Sequence, residues 1–374
     1  MFPLAFLSLL TVVATVIATP SLLLEVSGPS TVYGIDNFNI TTTVTNAGNE
    51  AVRLLNHPRG PLSDLPTDMF TITNRHGFSP DFVGISAKYS PSAALASNDR
   101  YAFTVLAPGQ SVEVHHDISA TYDFSTSGPG QYVVMMKNFN TFYYVADGKI
   151  SALVGGSGHA FHTINVVGNA RSHKQRIDAH TGGHCEIWQK RAIDAAVPLA
   201  EKYVRHALED LVKGGPNSAE YKRWFGPALH GDRHTSVFSH FETLAGSNFS
   251  EYAYFCNARF CANRPGVLGY VVPNHFGAIS LCDSFFDAEV GGHNSRASTI
   301  LHEALHFSKN GATDEHAHGE TLGQELARSY PHLAATNADN YEYFAVAAFG
   351  DGPGQGDASV LLTQVHFGKH ILDL

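Results

Sequence analysis

The stretch Leu301-His302-Glu303-Ala304-Leu305-His306-Phe307 decides how the rest of the chain is read. Two histidines stand at i and i+4, with a glutamate directly after the first. On a helix those positions lie one above the other on a single face, so both imidazoles reach one metal ion, and zinc is the metal such a pair is expected to hold. Glu303 points one step round the helix and suits a general base acting on water rather than a ligand. Ile300, Leu301, Ala304 and Leu305 are apolar at helical spacing and Gly311 ends the pattern, which predicts a short helix under the motif. The chain has 22 histidines, so a chance match is the competing account, and the helical context weighs against it.

At the start of the chain, Met1 to Ala18 is almost wholly apolar and closes on Val16-Ile17-Ala18 before Thr19-Pro20, the pattern of a secretory signal cut near Ala18 without the usual basic start. The run is short for an anchor and no other segment is long enough to span a bilayer, so no membrane partner is expected. With 374 residues, 44% of them hydrophobic and 16% charged, the chain can bury a core and is expected to form two domains. A net charge of -10, with no Lys/Arg cluster to supply a footprint, argues against a nucleic-acid partner. Asn39-Ile40-Thr41 and Asn248-Phe249-Ser250 are compatible with glycosylation after secretion.

The 4 cysteines, Cys185, Cys256, Cys261 and Cys282, all fall in one segment between residues 185 and 282. In a secreted chain an even number implies two disulfides there, with three pairings open. A cysteine-bound zinc is disfavoured because Cys256 and Cys261 are too far apart for a Cys-x-x-Cys clip.

From Ser21 to Val167 the runs Leu22 to Val26, Phe38 to Val44, Met69 to Thr73, Ser111 to Val114 and Gln131 to Met136 alternate or are β-branched, with Gly, Pro and Asn between them. They predict an all-β sandwich of immunoglobulin-like type that contributes nothing to a reaction centre. Gly168 to Arg176 is polar, basic and aperiodic, a linker open to a processing protease. Beyond it, Ile187 to Val212 reads as a helix with Ala192, Ala196, Leu199, Tyr203 and Ala207 on one face, kinked or interrupted at Pro198. A second helix is predicted near Thr235 to Leu244, and strands at Tyr252 to Phe255, Gly269 to Val272 and Ala278 to Leu281. After Phe349, Gly350 to Asp357 is a Gly-rich spacer leading into a tail that ends at Leu374.

Several local features occur together in the second half: Trp224-Phe225-Gly226, Tyr270-Val271-Val272-Pro273-Asn274-His275-Phe276-Gly277, Leu281-Cys282, His302-Glu303-x-x-His306-Phe307, and Asn337-Ala338-Asp339-Asn340-Tyr341-Glu342-Tyr343-Phe344. Over roughly Thr181 to Phe344 the chain thereby resembles the aspzincin metallopeptidases, and within them the fungal peptidyl-lysine metalloendopeptidases. Upstream, Arg59-Gly60-Pro61-Leu62-Ser63 and Leu65-Pro66-Thr67-Asp68 look like the propeptide of that family. The resemblance implies an α+β zincin-like catalytic domain preceded by an all-β immunoglobulin-like sandwich prodomain, one zinc ion, a mature start near Thr181, and disulfides pairing Cys185 with Cys256 and Cys261 with Cys282.

In the family the third zinc ligand is an aspartate, followed three residues later by a tyrosine that donates to the oxyanion. Counted without a gap from His306, these positions hold Glu315 and His318. A shift of one residue makes Asp314 the ligand, and His316 is a further candidate nearby. A glutamate oxygen binds zinc as an aspartate oxygen does, through a different rotamer. The phenol is harder to replace: such a donor is worth roughly 2.7–4 kcal/mol in comparable sites, and with His318 in its place weak or acid-favoured activity is expected. The plain alternative for Glu315 and His318 is an exposed polar loop. Asp339 and Glu342 fall on the family positions that give a preference for lysine on the leaving-group side, where paired carboxylates bind an ammonium. The same pair also reads as an N-cap with its capping-box partner.

The chain as a whole is therefore expected to be a secreted zinc endopeptidase made as a zymogen, acting as a monomer on protein or peptide substrates. Its expected parts are a signal at 1–18, a prodomain with the basic linker at 19–180, a metallopeptidase domain at 181–349 and a tail at 350–374. The rival reading is a catalytically impaired secreted homologue that binds metal or a partner. No cysteine lies between Thr19 and His184, so inhibition by the prodomain is expected to be steric and not a thiolate placed on zinc.

Overall fold

The computed structural model describes residues 20–137, 141–159, 161–170, 177–178, 183–227, 231–350 and 361–362. The predicted signal at 1–18, the basic stretch 171–176 and nearly all of the tail beyond Gly350 lie outside the described residues. The rest is a mixed α/β molecule with strands dominating the first part and helices the second.

The strand Leu22–Ser27 buries Leu22, Leu24 and Val26 and exposes the residues between them, the period of a half-buried strand. It pairs antiparallel with Asn39–Asn46, placing Leu24 opposite Val44, and that strand pairs in turn with Ser111–Asp117. Gly156–His159 completes this four-stranded sheet. A second four-stranded sheet runs Thr31–Tyr33, Phe161–Val167, Gly130–Met136, Phe70–Asn74. Leu24, Ile40 and Val44 from the first sheet and Tyr132, Val134 and Ile164 from the second share one core. Just beside it, Thr42 Oγ1 donates to the carbonyl of Pro61 at 2.7 Å and so accepts from His116 Nε2 at 2.8 Å. Burial pushes the His116 imidazole down to about 4, with Asp64 opposing and His115 adding to the shift.

In the second part the helix Ile187–Lys213 is continuous, and Pro198 lies inside it without breaking it. The proline removes one backbone donor on the exposed side, while Ile193, Ala196, Ala200, Tyr203, Val204 and Ala207 bury the opposite face against the helices Arg296–His306 and Ala338–Phe349. Packing along the whole length outweighs the local defect. The second predicted helix spans Gly231–Ala245. Disulfides join Cys185 to Cys256 and Cys261 to Cys282. No helix among the described residues is long and apolar enough to cross a membrane.

The sheet of this second part has the order Ala253–Cys256, Ala278–Leu281, Val267–Val271, Ser86–Tyr89. Its last strand comes from the first half, so the expected division between the two halves is crossed by backbone pairing. An apolar core crosses it as well: Leu65, Ile85, Ala87, Tyr89, Ala94 and Tyr143 pack in one cluster with Val267, Tyr270, Val272, Ala317, Leu322 and Leu326.

Candidate active site

The helix Arg296–His306 starts at Ser295, whose hydroxyl accepts from the Ser298 N–H while the Ser298 hydroxyl accepts from the Ser295 N–H. Each side chain satisfies a donor that the first turn would otherwise leave open. Every residue from Ala297 to His306 is buried, so the two histidines and Glu303 are held by packing on all sides.

His302 Nε2 and His306 Nε2 stand 3.1 Å apart, and Glu315 Oε1 is 3.1 Å from the first and 3.2 Å from the second. Ligand atoms on a tetrahedral zinc with bonds of about 2.0–2.2 Å are separated by ~3.3–3.5 Å. The triangle fits one such ion with little adjustment. The far ring nitrogens are tied as metal-binding imidazoles require: His306 Nδ1 lies 2.8 Å from the carbonyl of Thr313, and His302 Nδ1 lies 3.1 Å from both Asp339 Oδ1 and Glu342 Oε2. A second acid and histidine set, His302 with Asp339 and Glu342, also has ligand spacing. It already surrounds a cation, the ammonium of Lys88.

The loop that carries Glu315 is pinned from both sides. Asp314 N–H donates to Thr336 O at 2.7 Å, and Asn337 Oδ1 accepts from His316 N–H at 2.6 Å and Ala317 N–H at 3.1 Å. The Asp314 carboxylate meets the Arg59 guanidinium at 2.8 Å, and Arg59 also donates to the carbonyl of Glu315 and, at 2.8 Å, to that of Asp68. Asp314 thus faces Arg59 and His316 faces Thr336 Oγ1 at 2.9 Å, leaving Glu315 as the carboxylate in the triangle. His318 is in the same cluster, with Nε2 at 3.3 Å from Glu315 Oε2 and Nδ1 buried without a partner among the described residues. Glu315 is 2% and His318 5% exposed, which removes the exposed-loop alternative. Burial alone would raise the Glu315 carboxyl, but His318, His302 and His306 together hold it well below the carboxylate range.

Glu303 Oε1 accepts from the backbone N–H of Lys88 at 2.9 Å, and Oε2 is buried with no partner among the described residues. Burial pushes this carboxyl up to about 7, although His306 and His302 pull the other way. Gly269 passes close beneath it. A Cβ there would stand 3.4 Å from Glu303 Oε1 and 3.0 Å from Ser280 O, so glycine lets the strand Val267–Val271 approach without pushing the Ser280 carbonyl aside.

Asp339 and Glu342 lie inside the helix Ala338–Phe349, which begins after Asn337. The expected N-cap and capping-box roles are therefore not theirs. Both carboxylates, one turn apart, instead converge on Lys88 Nζ, each at 2.6 Å. Burial opposes the Lys88 charge, but Asp339 and Glu342 outweigh it and hold the ammonium above its usual range.

The expectation that the first half adds nothing to this centre is overturned by Lys88, Arg59 and His57. The His57 ring lies 4.4 Å from that of His318, with its Nε2 buried and unpartnered among the described residues. Lys88 is the first lysine of the chain, but nothing in Ser86-Ala87-Lys88-Tyr89 marks it locally as a site residue.

The aspzincin profile, described as lysine-specific metallo-endopeptidase, matches residues 211–346. A peptidyl-Lys metalloendopeptidase of Grifola frondosa is 37% identical over 348 residues, covering 92% of this chain and 98% of that protein. One from Armillaria mellea is 33% identical over 333 residues, covering 88% and 92%. A solved zinc peptidase from Grifola frondosa is 35% identical and covers 43% of this chain and 96% of its own, with a TM-score of 0.41.

Proposed function

Because the chain belongs to the aspzincin metallopeptidases, we propose that it is a secreted zinc endopeptidase that cuts peptide bonds on the amino side of lysine. The observation that carries this reading is the buried triangle of His302 Nε2, His306 Nε2 and Glu315 Oε1 with Glu303 beside it. Zinc held there supplies Lewis acidity toward the scissile carbonyl and toward water.

The remaining work falls to side chains of this chain. Glu303 takes a proton from the attacking water and delivers it to the leaving amine. Its Oε1 already reaches the amide nitrogen of a strand lying in the cleft, at 2.9 Å, which supports that second role. Asp339 and Glu342 bind the lysine ammonium, supported by the 2.6 Å contacts that each makes to Lys88 Nζ. They also orient His302 through its Nδ1. His318 stands in the oxyanion-donor position and replaces a phenol with an imidazole.

Residues 19–180 act as a removable prodomain of sandwich type, and 181–349 as the peptidase. Secretion is supported by the apolar start of the chain and by the two disulfides, which persist in oxidising compartments. The exchange of the tyrosine for His318 favours slow turnover, and the rival reading is a homologue that binds metal without hydrolysis.

The test is hydrolysis of a lysine-containing peptide by processed protein, with and without chelator. Chelator is expected to abolish cleavage and zinc to restore it. Glu303→Gln is expected to keep its metal and lose nearly all turnover; cleavage at the parent rate by that variant would overturn the proposal.

A further inference from the structure

Lys88 is fully buried, a state lysine rarely adopts unless it is paired. It arrives there on a strand. Ser86–Tyr89 pairs antiparallel with Val267–Val271, setting Ser86 opposite Val271, Ala87 opposite Tyr270 and Lys88 opposite Gly269, and the Ser90 N–H adds a bond to Gly266 O at 2.8 Å. The other side of Val267–Val271 is taken by Ala278–Leu281, so without residues 86–89 it would be the edge of the sheet. A free strand edge is a template for an extended peptide: the ladder gives affinity and side-chain pockets give selectivity.

Two features of this strand coincide with what a cleavable peptide must offer. The amide nitrogen of the Ala87–Lys88 bond lies 2.9 Å from Glu303 Oε1, and the side chain that follows this bond is a lysine whose ammonium fills the Asp339/Glu342 pocket. We propose that residues 86–89 occupy the catalytic cleft as a pseudo-substrate, and that Lys88 makes the first half of the chain a competitive inhibitor that uses the residue type the pocket selects. The inference rests on reading the site as a lysine-directed peptidase. Ile85, Ala87, Tyr89 and Tyr143 seal the strand in an apolar core with Val267 and Tyr270, and Arg59 clamps the Glu315 loop from the same side. Both disulfides lie within the second half, so no covalent bond retains the first half once the connecting segment is cut.

The experiment uses the full chain, folded and then nicked at a site-specific protease sequence placed in 171–176. Dissociation of the two fragments is measured by sedimentation and by fluorescence anisotropy, for the parent, K88A, and K88M, which keeps the volume of the stem. Removing one partner from a buried ion pair leaves the other charges uncompensated, so the variants are expected to weaken fragment association by roughly 100-fold or more. An octapeptide of residues 84–91 added to the separated second fragment is expected to bind and to compete with substrate, and the same peptide with alanine for lysine to do neither. Dissociation constants for parent and both variants within threefold of one another, or equal binding of the two octapeptides, would overturn the proposal. Lysine-dependent association without any peptide hydrolysis would uphold the docking while refuting the peptidase reading. Hydrolysis of lysine peptides with no effect of Lys88 would refute the docking alone.

Discussion

Replacing Glu342 with glutamine tests the proposed lysine preference at the contact from which it would arise. Glu342 Oε2 lies 2.6 Å from Lys88 Nζ and 3.1 Å from His302 Nδ1, while Oε1 accepts from the Asn294 N–H at 3.2 Å. A glutamine of the same shape has only one acceptor oxygen, so it cannot serve both sides. Turned toward the ammonium it presents its NH2 to Asn294, and turned the other way it presents donors to a donor. One charge-assisted hydrogen bond is lost, worth about 1.5–3 kcal/mol, which is ~10- to 150-fold in discrimination. Asp339 remains, at 2.6 Å from the same nitrogen, so preference is reduced and not abolished. The assay compares kcat/KM for two peptides identical except for lysine or norleucine after the cut. Any disturbance of His302 or of metal affects both peptides and cancels in the ratio, leaving the ammonium contact. A ratio that changes less than threefold, or a loss shared equally by the two peptides, would refute assignment of Glu342 to the lysine pocket and leave it only the orientation of His302.

Glu315→Ala is expected to lose bound zinc and Asp314→Ala to keep it, because only Glu315 reaches both imidazoles; metal counted by atomic emission on each purified variant decides, and the reverse pattern would move the ligand by one residue. Arg59→Ala removes the partner of Asp314, and since Asp314 is a third exposed the expected loss of stability in the intact chain is about 2–3 kcal/mol, read as a shift in the denaturant midpoint; no shift would show that the clamp is idle. His116 has a folded-state value of about 4 against about 6.5 unfolded, so the unfolded chain binds more protons and stability falls as pH drops from 6.5 to about 4. The loss saturates near ~3 kcal/mol, and His116→Gln is expected to flatten that part of the profile of midpoint against pH; an unchanged slope would place the acid sensitivity elsewhere.

What could be read from the sequence lies within short reach along the chain. The i, i+4 histidines and their apolar neighbours specify a helix and a metal-binding face, because helical periodicity converts spacing directly into direction. Alternating or β-branched runs likewise marked Leu22 to Val26 and Gln131 to Met136, which fall in the strands Leu22–Ser27 and Gly130–Met136 with alternating burial. The count from His306 to Glu315 stays inside one helix and its following loop, but the resemblance to the family gave the count its meaning, and spacing alone left Asp314 and His316 open. Local rules fell short for the complementary reason at Pro198, where an interruption was one of two expectations, and at Asp339/Glu342, where a cap was the alternative to a lysine pocket. Packing on two neighbouring helices sustains the first, and a helix beginning at Ala338 turns both carboxylates inward.

Lys88 was invisible at the level of sequence because every contact that gives it meaning is remote: 215 residues separate it from Glu303 and 251 from Asp339. No periodicity spans such distances. Tertiary structure decides it through the register of Ser86–Tyr89 on Val267–Val271, and that register is set by the core that Ala87 and Tyr89 share with Val267 and Tyr270. A shift of one residue would turn the lysine to the opposite face of the sheet, away from both acids, since successive strand side chains alternate.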